Sequence, residues 1–174
     1  MLLSVHSEPV RQGCHLIGVD GRSGTGKTTL AARLAQVLEP AGVPVVHLDD
    51  IYPGWDGLAE GIDMLVAGVL APLCAGRDGR WRRWSWECDE PGGWAEMPWA
   101  ATVVVEGAGA GARACRPYLA SLLWLHTDEV TRYTRAITRD GTSFAAQWDR
   151  WAAQEAAYLV SDEPTAHADV LVRT

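Results

Sequence analysis

Eight consecutive residues carry the clearest chemistry in the chain. Gly21-Arg22-Ser23-Gly24-Thr25-Gly26-Lys27-Thr28 fits G-x-x-x-x-G-K-[ST] at every required position. Glycines in such a loop let backbone N–H groups face a phosphate chain, and a helix that starts there adds the positive end of its dipole. Lys27 reaches toward terminal phosphates in this pattern, and the Thr28 hydroxyl is placed to ligate magnesium. The expected nucleotide-binding set is Gly21, Ser23, Gly24, Thr25, Gly26, Lys27, Thr28 and Thr29. Asp49 and Asp50 follow one apolar run, Val43 to Leu48, and Glu106 follows another, Thr102 to Val105. An acid at the end of a buried strand, such as Glu106, can orient magnesium or its water shell. Farther on, Arg132 and Arg135 are three residues apart and share a helix face, with Arg139 a turn later. Phosphoryl transfer needs this inventory, because positioning and charge neutralisation dominate its loose transition state.

The surrounding segments are of the types needed to position these groups. Leu16-Ile17-Gly18-Val19 reads as a buried strand within Cys14 to Val19 and ends in Asp20, just before the loop. Thr29 to Leu38 then places Leu30, Leu34, Val37 and Leu38 at helical spacing, and Pro40 and Gly42 stop that helix. Further strands are expected at Val43 to Leu48, Thr102 to Val105, Leu122 to His126 and Ala168 to Val172. In a parallel sheet their carboxyl ends share one crevice, so Asp49, Asp50 and Glu106 should lie on the same side as the phosphate loop. Ile51 to Gly61 reads as irregular. Ile62, Leu65, Val66, Val69, Leu70 and Leu73 mark a helix with Asp63 in its first turn. Gly76 to Trp99 alternates, breaks at Asp89-Glu90-Pro91-Gly92-Gly93 and resumes, which predicts a hairpin flap with Trp84 and Trp86 on one face. Thr127 or Asp128 caps a helix, and another runs from about Ser143 to Tyr158 with Phe144, Trp148, Trp151 and Ala152 on one side. The expected architecture is an α/β fold with a five-stranded parallel sheet flanked by helices and a tryptophan-rich hairpin insertion. One domain over 1–174 is expected, with the flap at 76–99 and a lid and helical segment at 128–160.

Composition narrows the partners. With 174 residues, 48% of them hydrophobic, there is material for one substantial core. A net charge of −7 argues against nucleic acid or an anionic membrane as partner, so a bound polyanion must be held locally. No run of about 18 apolar residues is present, and Met1 to Gln12, a polar lead-in, lacks the features of a secretory signal. A cytoplasmic location is expected. The four cysteines contain no C-x-x-C pair, and no two of the five histidines are spaced for one helix face, so the protein alone is not expected to bind metal. Nine tryptophans are the oddity, five of them between Trp81 and Trp99.

Taken in order, these motifs resemble the uridine kinase and phosphoribulokinase group of P-loop kinases. Gly21 to Thr28 is similar to the group's G-x-S-G-x-G-K-T, Asp49-Asp50-Ile51-Tyr52 to its D-x-F-Y, and Val104-Val105-Glu106-Gly107 to its apolar-Glu-Gly motif. Arg132 to Asp140 resembles its arginine-bearing lid helix, and Ala168-Asp169-Val170 its closing strand. The resemblance implies a P-loop NTPase fold and transfer of the γ-phosphoryl group of ATP, with Mg2+, to a small-molecule hydroxyl, first of all a nucleoside's. It implies Asp49 as acceptor of the hydroxyl proton, Lys27, Arg132 and Arg135 as catalytic cations, and Thr28 and Glu106 at the magnesium. Substrate contacts by Asp49, Tyr52, Asp63, Trp84 and Trp86 are implied as well. The group's uracil-reading histidine would fall near Asp89, and its two smaller aromatics are tryptophan here. Another sugar or small alcohol as acceptor, or a regulatory nucleotide-binding module, are the alternatives. No guanine-reading N-K-x-D is present, which favours ATP.

Overall fold

The computed structural model describes residues 13–39 and 42–174. The lead-in at 1–12 and the helix stop at Pro40 lie outside the described residues. Among those described, the strands are β1 (His15–Gly21), β2 (Val45–His47), β3 (Gly79–Ser85), β4 (Glu90–Met97), β5 (Thr102–Glu106), β6 (Leu119–His126) and β7 (Val170–Arg173). Five form a parallel sheet in the order β2-β5-β1-β6-β7, while β3 and β4 pair antiparallel in a sheet of their own. Val103, Val104 and Val105 are fully buried, as a strand covered on both faces requires. In the register, Val19 of β1 and His47 of β2 both lie beside Glu106 of β5. That levels the carboxyl ends of three strands. The chain leaves β1 between β5 and β6, at the point where an open α/β sheet forms its crevice.

Helix α1 (Lys27–Leu38) opens at Gly26, which has φ 88° and offers no side-chain cap. Its first N–H groups are therefore left for an anion rather than satisfied internally. The face it buries differs from the expected one. Ala31 and Ala35 meet the core around Val19 and Val104, whereas Val37 is 83% exposed. Small residues let the helix lie close on the sheet, and the leucines flank the contact.

Helix α2 (Leu58–Leu65) starts four residues earlier than the apolar spacing suggested and continues through a π turn at Val66–Leu70 into α3 (Ala71–Cys74). Asp63 is consequently beyond the first turn, where Glu60 stands instead. The spacing missed this start because Gly61 is part of it, packed against the Tyr52 ring where a side chain would not fit.

Asp128 caps α4 (Glu129–Ala145) by accepting from Thr131 N at 2.9 Å. Gly141, with φ 73°, breaks α4 near its end, and α5 (Trp148–Asp162) follows. The helix expected from Ser143 to Tyr158 thus crosses a real junction. Phe144, Trp148 and Trp151 are all buried across that junction, and the first two rings pack edge to face at 5.8 Å.

The hairpin turns at Trp86–Asp89, ahead of the expected break, and β4 runs straight through Pro91-Gly92-Gly93. Pro91 is tolerated because this two-stranded sheet consists only of edges. Trp81, Ala95 and Met97 join the main core, while Trp94 is exposed. Among the described residues no helix is long and apolar enough to cross a membrane.

Candidate active site

The phosphate loop is held from behind. Glu155 of α5, 1% exposed, accepts from Ser23 N at 2.7 Å and Ser23 Oγ at 2.8 Å, from Arg22 Nε at 3.0 Å and from Trp151 Nε1 at 3.2 Å. Ser23, expected to bind phosphate, has both donors committed to this carboxylate, which leaves the N–H groups farther along the loop for an anion. Arg132 is 4% exposed; it donates to Ser23 O at 3.3 Å, stands 4.0 Å from Glu155 and lies over the Trp148 ring at 5.4 Å. It braces the loop rather than facing the cleft, which corrects its expected role at the phosphoryl group. Asp20, at the end of β1, accepts from Gly21 N, Gly109 N, Gly111 N and Tyr158 Oη at 2.6–3.1 Å. Full burial nonetheless pushes its carboxyl above the usual range, against the pull of those hydrogen bonds. Asp20 was placed at the strand end but given no role, and Glu155 went unnoticed in the sequence, since nothing local marks what either will hold.

Gly24 is the tightest point of the loop. Its φ is 81°, and a Cβ there would run into the Arg132 carbonyl at the start of α4. Gly24→Ala should lower the melting temperature, since left-handed strain of about 1–2 kcal/mol adds to a clash with rigid backbone. Thermal melts check this; an unchanged melting temperature would contradict the loop's close docking on α4.

In front of the loop lies an open cleft of about 1200 Å3. Ser23, Gly24, Gly26, Lys27, Thr28 and Thr29 form one side of it. Gly21 and Thr25 shape the loop instead: a Cβ on Gly21 would strike the Leu125 carbonyl, and buried Thr25 bonds Arg22 O at 2.8 Å. Lys27 Nζ rests on Arg22 O at 3.2 Å. Thr28 Oγ1 donates to Glu106 Oε1 at 3.0 Å, so two hard oxygen donors converge where magnesium would fit. His47 Nδ1 meets the same Glu106 oxygen at 2.6 Å. Burial would raise the Glu106 carboxyl, but the His47 hydrogen bond and Lys27 outweigh it and leave it below the usual range. The same bond raises His47. Among the described residues no group of three or more His, Cys, Asp or Glu side chains could hold a metal unaided.

Asp49 and Asp50 lie in a single 3-10 turn after β2, and both line the cleft. Asp49 is open to the cleft, yet the surrounding walls strip enough hydration to raise its carboxyl above the usual range, with Lys27 opposing. Arg135 also lines the cleft and reaches Thr174 Oγ1 at 3.2 Å. Arg139 lines it too, gripped by both Asp140 oxygens at 2.8 and 2.6 Å. That hydrogen bonding raises Arg139, and Asp49 and Glu106 add to the effect.

The expected substrate contacts divide. Tyr52 is 1% exposed and its hydroxyl is spent on Ala108 O at 2.6 Å, so it offers the cleft ring surface and no donor. Asp63 lies outside the cleft, in a shallow groove with Arg113 and Asp162, because α2 turns that face outward. Trp84 packs behind Gly54, 3.3 Å from where a Cβ would stand, and does not line the cleft. Trp86 does line it. Trp55, unforeseen, is the hub of the aromatic wall: its ring centroid lies 4.7 Å from Trp86, 5.5 Å from Phe144 and 6.4 Å from Trp151.

No protein-family model matches the chain, and no curated protein matches it. Solved structures do. A possible uridine kinase from Bacillus stearothermophilus superposes with a TM-score of 0.66 at 23% identity, covering 92% of this chain and 89% of that one. A candidate fructose transport system kinase from Silicibacter sp. TM1040 gives 0.61 at 17% identity, over 94% and 92%. Shikimate kinase from Acinetobacter baumannii in complex with shikimate gives 0.54 at 16% identity, over 92% and 84%. At these identities the likeness is one of fold, and the fold is that of the P-loop NTPases, kinase-like in form.

Proposed function

We propose that the chain is a kinase that uses Mg-ATP to phosphorylate a hydroxyl of a small molecule, with nucleosides the first acceptors to try. One observation carries the reading: the carboxylate of Asp49 faces the same cleft as Lys27 and the Thr28–Glu106 pair, with Arg139 lining it as well. A nucleotide-binding module without transfer needs no acid opposite its phosphate loop. In the proposed reaction the loop N–H groups and Lys27 hold the phosphate chain, and Thr28 with Glu106 would hold the magnesium, which would supply positive charge against that of the phosphates. Asp49 orients the acceptor hydroxyl and takes its proton. Arg139 and Arg135 line the cleft where charge on the moving group needs balancing, a role that Arg132, buried behind the loop, does not share.

The aromatic wall of Trp55, Trp86 and Trp151 supports a flat or apolar acceptor body, as a nucleoside base would supply. The other acceptors expected from the resemblance, a sugar or another small alcohol, are the second group to try. With a net charge of −7, we propose neither nucleic acid nor an anionic membrane as a partner.

The test is ADP formation with Mg-ATP against a panel of nucleosides, sugars and small alcohols. Turnover that depends strongly on one acceptor class supports the kinase. Tight ATP binding with near-zero turnover on every acceptor would sink it in favour of a regulatory module.

A further inference from the structure

The excess of tryptophan in the hairpin has a use other than stacking. Trp86 sits in the β3–β4 turn, and its Nε1 donates to the backbone carbonyl of Asp49 at 2.7 Å. Asp49 has little local scaffold: β2 is three residues long and the 3-10 turn after it is one turn. That turn closes on the carbonyl of Leu48, which accepts from Ile51 N at 2.8 Å and Tyr52 N at 3.0 Å, and so leaves the Asp49 carbonyl to the indole. The Trp86 ring is itself set against Trp55.

Of the three large aromatic side chains, Phe, Tyr and Trp, only the indole carries an N–H donor on its ring edge; phenylalanine has none, and tyrosine carries its hydroxyl at the far end of the ring. The neighbouring Trp84 makes no such contact: its Nε1 has no partner among the described residues, and its ring backs Gly54. The two tryptophans therefore divide the work, one behind the 52–57 loop and one on the residue that faces the acceptor.

The geometry points to Trp86 as a positioning residue, which fixes the backbone of Asp49 and thereby aims its carboxylate at the acceptor hydroxyl. This rests on the reading of Asp49 as the proton acceptor. The separate two-stranded sheet is then a clamp on the base, and the wall it contributes to the cleft is a second use.

The test separates the hydrogen bond from the ring. Trp86→Phe keeps an aromatic surface and loses the donor, Trp86→Ala loses both, and Trp94→Phe alters an exposed tryptophan of the same hairpin outside the cleft. With the best acceptor from the panel, Trp86→Phe should lower kcat about tenfold, the loss typical of one hydrogen bond that aims a reacting group, with acceptor KM within about threefold. Trp86→Ala should show the same fall in kcat and a raised KM, and Trp94→Phe should match the wild type. Thermal melts accompany the kinetics; Trp86 is 37% exposed, so its variants should stay folded. Full kcat with a raised KM in Trp86→Phe, or wild-type values of both, overturns the inference and leaves the kinase reading standing. A wild-type protein silent toward every acceptor overturns that reading and this inference with it.

Discussion

Asp49→Asn should lower kcat by about 10² to 10⁴, the usual share of a general base, while Mg-ATP binds as tightly as before. The substitution removes the proposed proton acceptor and keeps the shape. Asp49 makes no side-chain hydrogen bond to the phosphate loop, whose contacts run through Arg22, Glu106 and Glu155, so the loop keeps its shape, and loss of a negative charge near Lys27 should not weaken its hold on phosphate. The pH profile gives a second reading. A base works only when deprotonated, and loss of hydration in the cleft lifts the Asp49 carboxyl above its ordinary value against the opposing pull of Lys27. The acid limb of kcat/KM in the wild type should therefore lie above that of an ordinary aspartate and be missing from the residual activity of Asp49→Asn. Single-turnover rates with bound ATP isolate the chemical step. Wild-type turnover in the Asn variant would falsify the assignment and shift attention to Asp50, the adjacent acid in the same cleft.

Much of this site could be read without coordinates because its parts are consecutive in the chain or stand at strand ends. The phosphate loop is contiguous, and Glu106 and Asp49 follow apolar runs whose parallel pairing puts their ends together. Register then adds what periodicity cannot. His47 is unremarkable in the sequence, yet it pairs opposite Glu106 across β2 and β5 and ends 2.6 Å from its carboxylate. Finding it required the strand order, since β2 and β5 are separated by two helices and a hairpin. Helix α1 was placed correctly but given the wrong buried face, because spacing counts large apolar residues and the contact is made by Ala31 and Ala35.

The arginines show a different limit. Arg132, Arg135 and Arg139 lie on one helix at neighbouring positions, and spacing could not tell which faces the cleft. Burial decides: Arg132 turns under the loop toward Ser23 O and Glu155, while Arg135 and Arg139 face the open side. Trp55 was illegible for a related reason. It belongs to a segment with no period of its own, and its importance comes from rings contributed by the hairpin turn, the end of α4 and α5. Side chains that meet from four separate elements leave no pattern in any one of them.

Glu155→Gln carries the largest expected cost to stability. Glu155 gathers Arg22, two donors of Ser23 and the Trp151 indole, with Arg132 4.0 Å away. Glutamine keeps one acceptor oxygen and loses the charge, so Ser23 stays partly satisfied while Arg132, buried, is left without a counter-ion. Breaking a buried pair from one side costs about 3–5 kcal/mol. Arg22 is partly solvated and can turn outward, which favours the lower end, about 3 kcal/mol, or a fall in melting temperature of about 6–12 °C for a chain of this size. Adding Arg132→Met should recover part of that loss, because the second change removes the stranded charge and leaves apolar contact with Trp148. Thermal or urea melts of the two single variants and the double variant measure the coupling. Strict additivity, or a Glu155→Gln protein as stable as the wild type, would mean that α5 packs behind the loop without holding it. Recovery in the double variant would instead identify the buried acid as the reason Arg132 can sit beneath a loop that must also receive phosphate.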